Sequence, residues 1–237
     1  MNFGVSSNCL MNLPLADALN KLSEITYLVE IQCDAAHSLF SHEKDARDFD
    51  LRYTIHSPTG DGNIACGFEP MRKASIEVIA ETAKIADRIS AEKLVIHPGF
   101  CLEKSEWNNS LNAFRRSLTD LGKLQKDYSV KFVMENLGNL ECCLFRFSDA
   151  LPLIKNAGLG FCLDAGHANL NGNLDEFLKY SPEHFHLHDN HGTSDEHAAC
   201  GSGEINFREI LKKKGTFIIE VINFDDAVSS IYYLSSL

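Results

Sequence analysis

The feature that most restricts this chain is an alternation repeated eight times, a short apolar or β-branched run followed by a helical pattern. The runs fall at 2–6, 27–31, 52–56, 93–97, 130–135, 159–164, 184–188 and 216–220. Between them Leu15, Ala18, Leu19 and Leu22 keep helical spacing over 14–22, and Ile76, Ile79, Ala83 and Ala86 do so over 69–89. Further helices are expected over 35–47, over 105–126 with Ser105 as N-cap, over 147–156 stopped by Gly158, and over 174–179, 207–213 and 225–234. Strands that alternate with helices pair in parallel, because each helix returns the chain to the same edge of the sheet. Eight such units without a linker predict one α/β domain over 1–237, a single (β/α)8 TIM barrel. A doubly wound open sheet is the competing architecture, but the chain has neither a G-x-G-x-x-G nor a P-loop.

The polar residues gather at one end of the expected strands. His56, His97, Glu135, Asp164, His186 and Glu220 each fall at or near the carboxyl end of a different run. In a barrel those ends share the rim that carries active sites. Six ligand-type side chains converging there are costly to bury without a partner, and a bound cation removes the cost. His184-Phe185-His186-Leu187-His188 alternates imidazole with a large apolar residue, the period of a strand with one polar face. The stretch runs on, and His186, His188, Asp189, His191, Asp195 and His197 are all candidates for binding a metal. Spacing adds His167, three residues beyond Asp164, together with Asp195 and His197. Nine positions exceed the needs of one ion. His184 is expected lower in the barrel as a hydrogen-bonded core residue, and His37 and His42 are kept out of the site. Glu30, which also ends a strand, is assigned to a supporting or substrate contact rather than to ligation.

Composition limits the partners. With 22 basic and 33 acidic residues the formal charge is −11, which gives no general attraction to nucleic acid or anionic lipid. Lys212-Lys213-Lys214 leads into the amino end of the last strand, away from the polar rim. The eight cysteines include no C-x-x-C, and Cys142 and Cys143 are adjacent, as in a cytoplasmic protein with reduced thiols. Cys200 is read as a filler in a glycine-rich turn. No apolar run approaches the ~20 residues that span a bilayer, and no export signal is visible.

His56-Ser57-Pro58, Val95-Ile96-His97-Pro98-Gly99, Met134-Glu135-Asn136, Leu163-Asp164-Ala165-Gly166-His167, His186-Leu187-His188-Asp189, Asp195-Glu196-His197 and Glu220 form an ordered series. It resembles the motifs of the xylose isomerase-like TIM barrel superfamily, which holds sugar and sugar-phosphate isomerases and epimerases together with endonuclease IV. In the isomerase branch the resemblance implies one divalent ion held by Glu135, Asp164, His186 and Glu220. Glu135 and Glu220 would exchange protons with a small sugar or sugar phosphate through a metal-stabilised ene-diolate, while His167 and His188 position hydroxyls. In the endonuclease IV branch it implies a phosphoester hydrolase with three zinc ions on His56, His97, Glu135, Asp164, His167, His186, Asp195, His197 and Glu220. The cofactors implied are therefore one to three divalent ions, zinc, manganese or magnesium. Thr59-Gly60-Asp61-Gly62-Asn63 lacks the bulky residues that those nucleases wedge into DNA. That loop and the acidic charge favour the small-molecule isomerase or epimerase over a nucleic-acid enzyme.

Overall fold

The computed structural model describes residues 3–60 and 62–237. Asn2 of the first expected strand and Asp61 of the loop after His56 lie outside the described residues. Eight parallel strands close into a barrel in chain order: β1 Gly4–Ser6, β2 Leu28–Gln32, β3 Arg52–His56, β4 Lys93–Ile96, β5 Lys131–Glu135, β6 Gly160–Asp164, β7 His184–Leu187 and β8 Thr216–Ile219. The helices on the outside are α1 Leu15–Ser23, α2 Leu39–Arg47, α3 Glu69–Arg88, α4 Trp107–Leu124, α5 Leu151–Asn156, α6 Ala165–Leu170, α7 Leu174–Phe177, α8 Phe207–Ile210 and α9 Phe224–Ser235. Among the described residues no helix is long and apolar enough to cross a membrane.

Successive strand residues point to opposite faces, and the two faces have different chemistry. Tyr53, Ile55, Leu94, Phe132, Phe185 and Phe217 face outward and share one apolar core with the helices. Each fully buried side chain of this size stabilises the fold by about 1.5–3 kcal/mol. The inward row is mixed. Val95, Val133 and Cys162 form a small buried cluster of their own, while Glu30, Thr54, His56, Glu135, Asp164, His184 and His186 share the interior as buried polar groups. Near the amino end the barrel is tight: a Cβ on Gly4 would lie 2.5 Å from Ile218 Cδ1. The candidate ligands lie in the middle and carboxyl layers, while at the amino end Lys93 donates to Thr216 Oγ1.

Three local expectations are corrected. Ser105 does not cap α4, which begins at Trp107 after a 3-10 turn over Lys104–Glu106, with no side-chain cap. The segment 35–47 divides into a 3-10 turn, Ala35–His37, and α2, whose His42 is non-helical at φ −123° and bonds Asp45 at 3.0 Å. Helix α6 follows β6 without a loop. It is too short to show a periodic pattern, and its start is set by Asp164, whose Oδ1 accepts the His167 amide at 2.6 Å.

Candidate metal centre

The barrel brings all nine candidate ligands to one mouth, where three neighbouring groups can be distinguished. His56, His97 and Glu135 form the first; Glu135, Asp164, His186 and Glu220 the second; His167, His188, Asp195 and His197 the third. Within each group the donor atoms lie within 4.8 Å of one another. Glu135 joins the first two. Its Oε2 lies 3.0 Å from His56 Nε2 and 3.2 Å from His97 Nε2. Its Oε1 lies 3.3 Å from His167 Nδ1 and 3.5 Å from His186 Nδ1. His186 Nδ1 also faces Glu220 at 3.2 Å and Asp164 at 3.7 Å.

The hydrogen bonds decide which nitrogens are available. A carbonyl oxygen only accepts, so a ring nitrogen beside one carries the hydrogen. His56 Nδ1 lies 3.0 Å from Ser57 O, His167 Nδ1 3.0 Å from Asn136 O, and His197 Nδ1 2.8 Å from Glu220 O. Each ring thus turns Nε2 toward carboxylates, His56 to Glu135 and both others to Asp195. Such a nitrogen is either protonated or a lone pair facing oxygen lone pairs, which repel unless a cation sits between them. Buried His186 Nδ1 has no hydrogen bond although three carboxylates surround it, and buried His188 Nδ1 has none either. Imidazole and carboxylate donors in this arrangement fit zinc or manganese.

Charge accumulates accordingly. Burial alone would raise the Glu135 carboxyl, but His186, His97 and a bond from His167 outweigh it and hold it well below the carboxylate range. Burial pulls the His56 ring down, yet the Glu135 bond and charge carry it up to about 9. For His197 burial is likewise outweighed, chiefly by Asp195 and Glu220, and the ring also reaches about 9. Divalent ions would displace those protons.

Glu30 lies beneath this ring, not at its opening. Fully buried, its Oε1 is 2.8 Å from His186 Nε2, while its Oε2 accepts from Thr54 Oγ1 at 2.9 Å and lies 2.7 Å from His184 Nε2. His186 Nε2 and Glu30 Oε1 are thus in close contact without hydrogen-bond alignment, on the side of the ring opposite the carboxylates that Nδ1 faces. His184 therefore sits one layer down, engaged with Glu30. His188, expected to contact substrate, belongs to the third group, with Nε2 3.1 Å from Asp164 Oδ1. Its ring presses on α6: a Cβ on Gly166 would meet His188 Cε1 at 2.0 Å, so only glycine fits there.

Two residues of the histidine-rich stretch serve the loop instead. Asp189 spends its oxygens on the amides of Asn190, Ile205 and Gly201, at 3.0, 3.1 and 2.9 Å, which shapes the return of the loop. His191 is exposed and bonds Glu196 at 2.9 Å. Sequence spacing did not single out Asn136, whose side chain ties β5 to β6 by bonding Asp164 N at 2.9 Å and Asp164 O at 3.0 Å. Outside the site, His37 is buried between Ser7 Oγ and Leu13 O, and Cys200 is a buried thiol. A cavity of about 500 Å³ opens beside the centre, touching His97, His167 and Asp195.

Comparison with known proteins agrees with the barrel fold. The model of the xylose isomerase-like TIM barrel family matches residues 41–229. The uncharacterized protein MJ1614 of Methanocaldococcus jannaschii is 36% identical over 219 residues, which cover 90% of this chain and 87% of the relative. A probable endonuclease 4 of Mycobacterium leprae is 26% identical over 159 residues, 61% of this chain and 61% of that one. The crystal structure of a D-tagatose 3-epimerase-like protein superposes with a TM-score of 0.89 at 30% identity, covering 100% of this chain and 96% of the other. An IOLI protein with a binding zinc atom superposes at 0.77 and 16% identity, covering 100% and 95%, a likeness of fold alone.

Proposed function

The chain belongs to the xylose isomerase-like TIM barrel family, and from that premise we propose that it is a divalent-metal-dependent isomerase or epimerase of a small sugar or sugar phosphate. The observation that carries the reading is the second group, in which Glu135 ends β5 and Glu220 follows β8, so that two carboxylates enter one site from different sides of the barrel, with Asp164 and His186 between them in sequence. These four residues would hold a divalent cation, which would supply Lewis-acid charge toward the oxygens of an open-chain sugar.

The protein groups divide the proton work. Glu135, held ionised by its imidazole neighbours, is a base for the hydrogen on the carbon next to the carbonyl. As that C–H bond breaks, its electron pair moves into the carbon–oxygen framework. The Glu220 carboxyl gives a proton to the opposite face of the same carbon for epimerisation; for isomerisation the proton goes to the former carbonyl carbon, whose oxygen takes up the proton that the neighbouring hydroxyl gives up as it becomes the new carbonyl. His167 and His188 border the site and hold hydroxyls, and Glu30 lies against His186 from below.

The third group supports a second reading, phosphoester hydrolysis of the endonuclease kind, because His167, Asp195 and His197 are more than one ion requires. One experiment separates the two. Protein loaded with manganese or zinc is incubated in deuterated water with ketoses and aldoses, and in parallel with labelled abasic duplex DNA at physiological salt. Deuterium is expected at the carbon next to the carbonyl, with no appreciable DNA binding by a chain of net charge −11. Sub-micromolar DNA binding with efficient incision, and no exchange, would reverse the assignment.

A further inference from the structure

Two loops of the mouth pair as a short ribbon, and that ribbon sets two thiols opposite each other. Strand β4 ends at Ile96 and β5 at Glu135, and beyond them the chain pairs again in the antiparallel sense. Leu144 N donates to Gly99 O at 3.1 Å and Cys101 N donates to Cys142 O at 2.7 Å. These two bonds flank the bridge pair Phe100 and Cys143. In such a ladder the next residues along also stand opposite one another, on the other face, with Cα atoms about 5.5 Å apart. On one side that next pair is Cys101 and Cys142.

The two faces of the ribbon look onto different spaces. Gly99 and Phe100 line the cavity that touches His97, His167 and Asp195. Cys101 and Cys142 instead line an outer groove of about 870 Å³, walled on its far side by Trp107 and Phe114 of α4. Cys143 reaches both spaces. Cys101 is buried, and its Sγ donates to Glu103 O at 3.2 Å, whereas Cys142 is half-buried. All three thiols are free.

Disulfides span Cα separations of about 4.4–6.8 Å, so Cys101 and Cys142 can be joined with the ribbon intact. A bridge between the adjacent Cys142 and Cys143 would have to turn one of them off its face and break the pairing. We propose that Cys101 and Cys142 form a reversible disulfide that staples the loop after β4 to the loop after β5, with a low-molecular-weight disulfide as the oxidant. Cys142, the more exposed thiol, loses its proton and attacks one sulfur of the reagent. Half of the reagent leaves and takes up a proton as a thiol, and a mixed disulfide remains. The Cys101 thiolate then attacks the Cys142 sulfur, and the second half leaves as a thiol. Two cysteine thiols are thus oxidised and one reagent disulfide is reduced to two thiols. His97 follows β4 and Glu135 ends β5, so the staple joins the segments that leave two ligands of the first group. It resists the local opening through which an ion would escape. Its role does not depend on which reaction the centre performs.

The test treats the folded, full-length, zinc-loaded protein with oxidised glutathione, then blocks the remaining thiols and maps the cross-links by mass spectrometry. One bridge is expected, joining the peptides of Cys101 and Cys142, with an intact mass lower by two hydrogens. Tm should rise by about 5–10 °C, and zinc transfer to a chelator should slow by about tenfold, both reversed by a reductant. Cys143→Ser should keep the bridge and both effects, and Cys101→Ser should lose all three. The cross-link and Tm are read on metal-free protein as well, so that they stand apart from the metal centre. No bridge, a Cys142–Cys143 bridge, or a bridge that forms only in unfolded chain overturns the proposal. A Cys101–Cys142 bridge that changes neither Tm nor zinc transfer overturns it too.

Discussion

The second and third ligand groups share one mouth but are held in different ways. Glu135, Asp164, His186 and Glu220 stand at or beside the ends of β5 to β8, where the parallel ladder fixes the backbone, and each is at most 6% exposed. Asp195 and His197 come from the loop after β7. Asp195 has 41% of its side chain exposed, and His197 adopts φ +45°, a left-handed conformation that costs energy in a residue with a Cβ. The first set is a property of the barrel. The second is added by a loop whose shape depends on Asp189, a residue that touches no candidate ion. Strand ends can therefore supply the reaction common to this reading, while the loop adjusts which substrate or how many ions the mouth accepts.

Glu135→Gln breaks the comparison most severely, because this carboxylate serves the first group and the second together. Activity should fall on the order of 10²–10⁴-fold, the contribution of a positioned base, with loss of bound metal besides. Metal-loaded Glu135→Gln that turns over like the unaltered protein would place the chemistry elsewhere. Glu30→Gln tests the support beneath the second group alone. Metal affinity measured by calorimetry should weaken about 10- to 100-fold, while Thr54→Val, which removes only the hydroxyl partner of Glu30, should do much less. Equal effects from the two variants would reduce Glu30 to a structural role.

Metal binding should also depend on pH. His56 and His197 hold protons up to about 9 in the metal-free protein, so an ion must displace them. Affinity should therefore fall as pH drops below about 9, by about tenfold per pH unit for each proton displaced. Proton release on metal titration, followed with an indicator dye near pH 8, measures this directly. An affinity flat between pH 7 and 9 would mean that neither ring is a ligand.

The smallest effect is expected for Asp195→Asn. On the isomerase reading it should leave deuterium exchange within about tenfold and lower the metal content of protein saturated with zinc, because only the loop group loses a carboxylate. Loss of exchange as complete as in Glu135→Gln would show that the two groups act as one centre.

Much of this was legible in the sequence for a local reason. Strand periodicity is two, so the alternation in His184-Phe185-His186-Leu187-His188 stated which side chains share a face, and the eightfold repeat stated that the strand ends meet. Helix α6 was not legible, since six residues set by an Asp164 cap leave no period to read.

The sequence by itself determined the barrel and the residues at its mouth, because both follow from short-range periodicity and from the order of the strands. Only the tertiary structure decided how those residues act. Which nitrogen of His167 and His197 faces inward depends on carbonyls of Asn136 and Glu220, contributed by other strands. That Glu30 stands under His186, that Asp189 belongs to its loop, and that a cavity opens beside His97 depend on register and loop packing between distant segments. A ligand's identity is written in its side chain, but the direction of its lone pair is set by whatever satisfies its other polar atom.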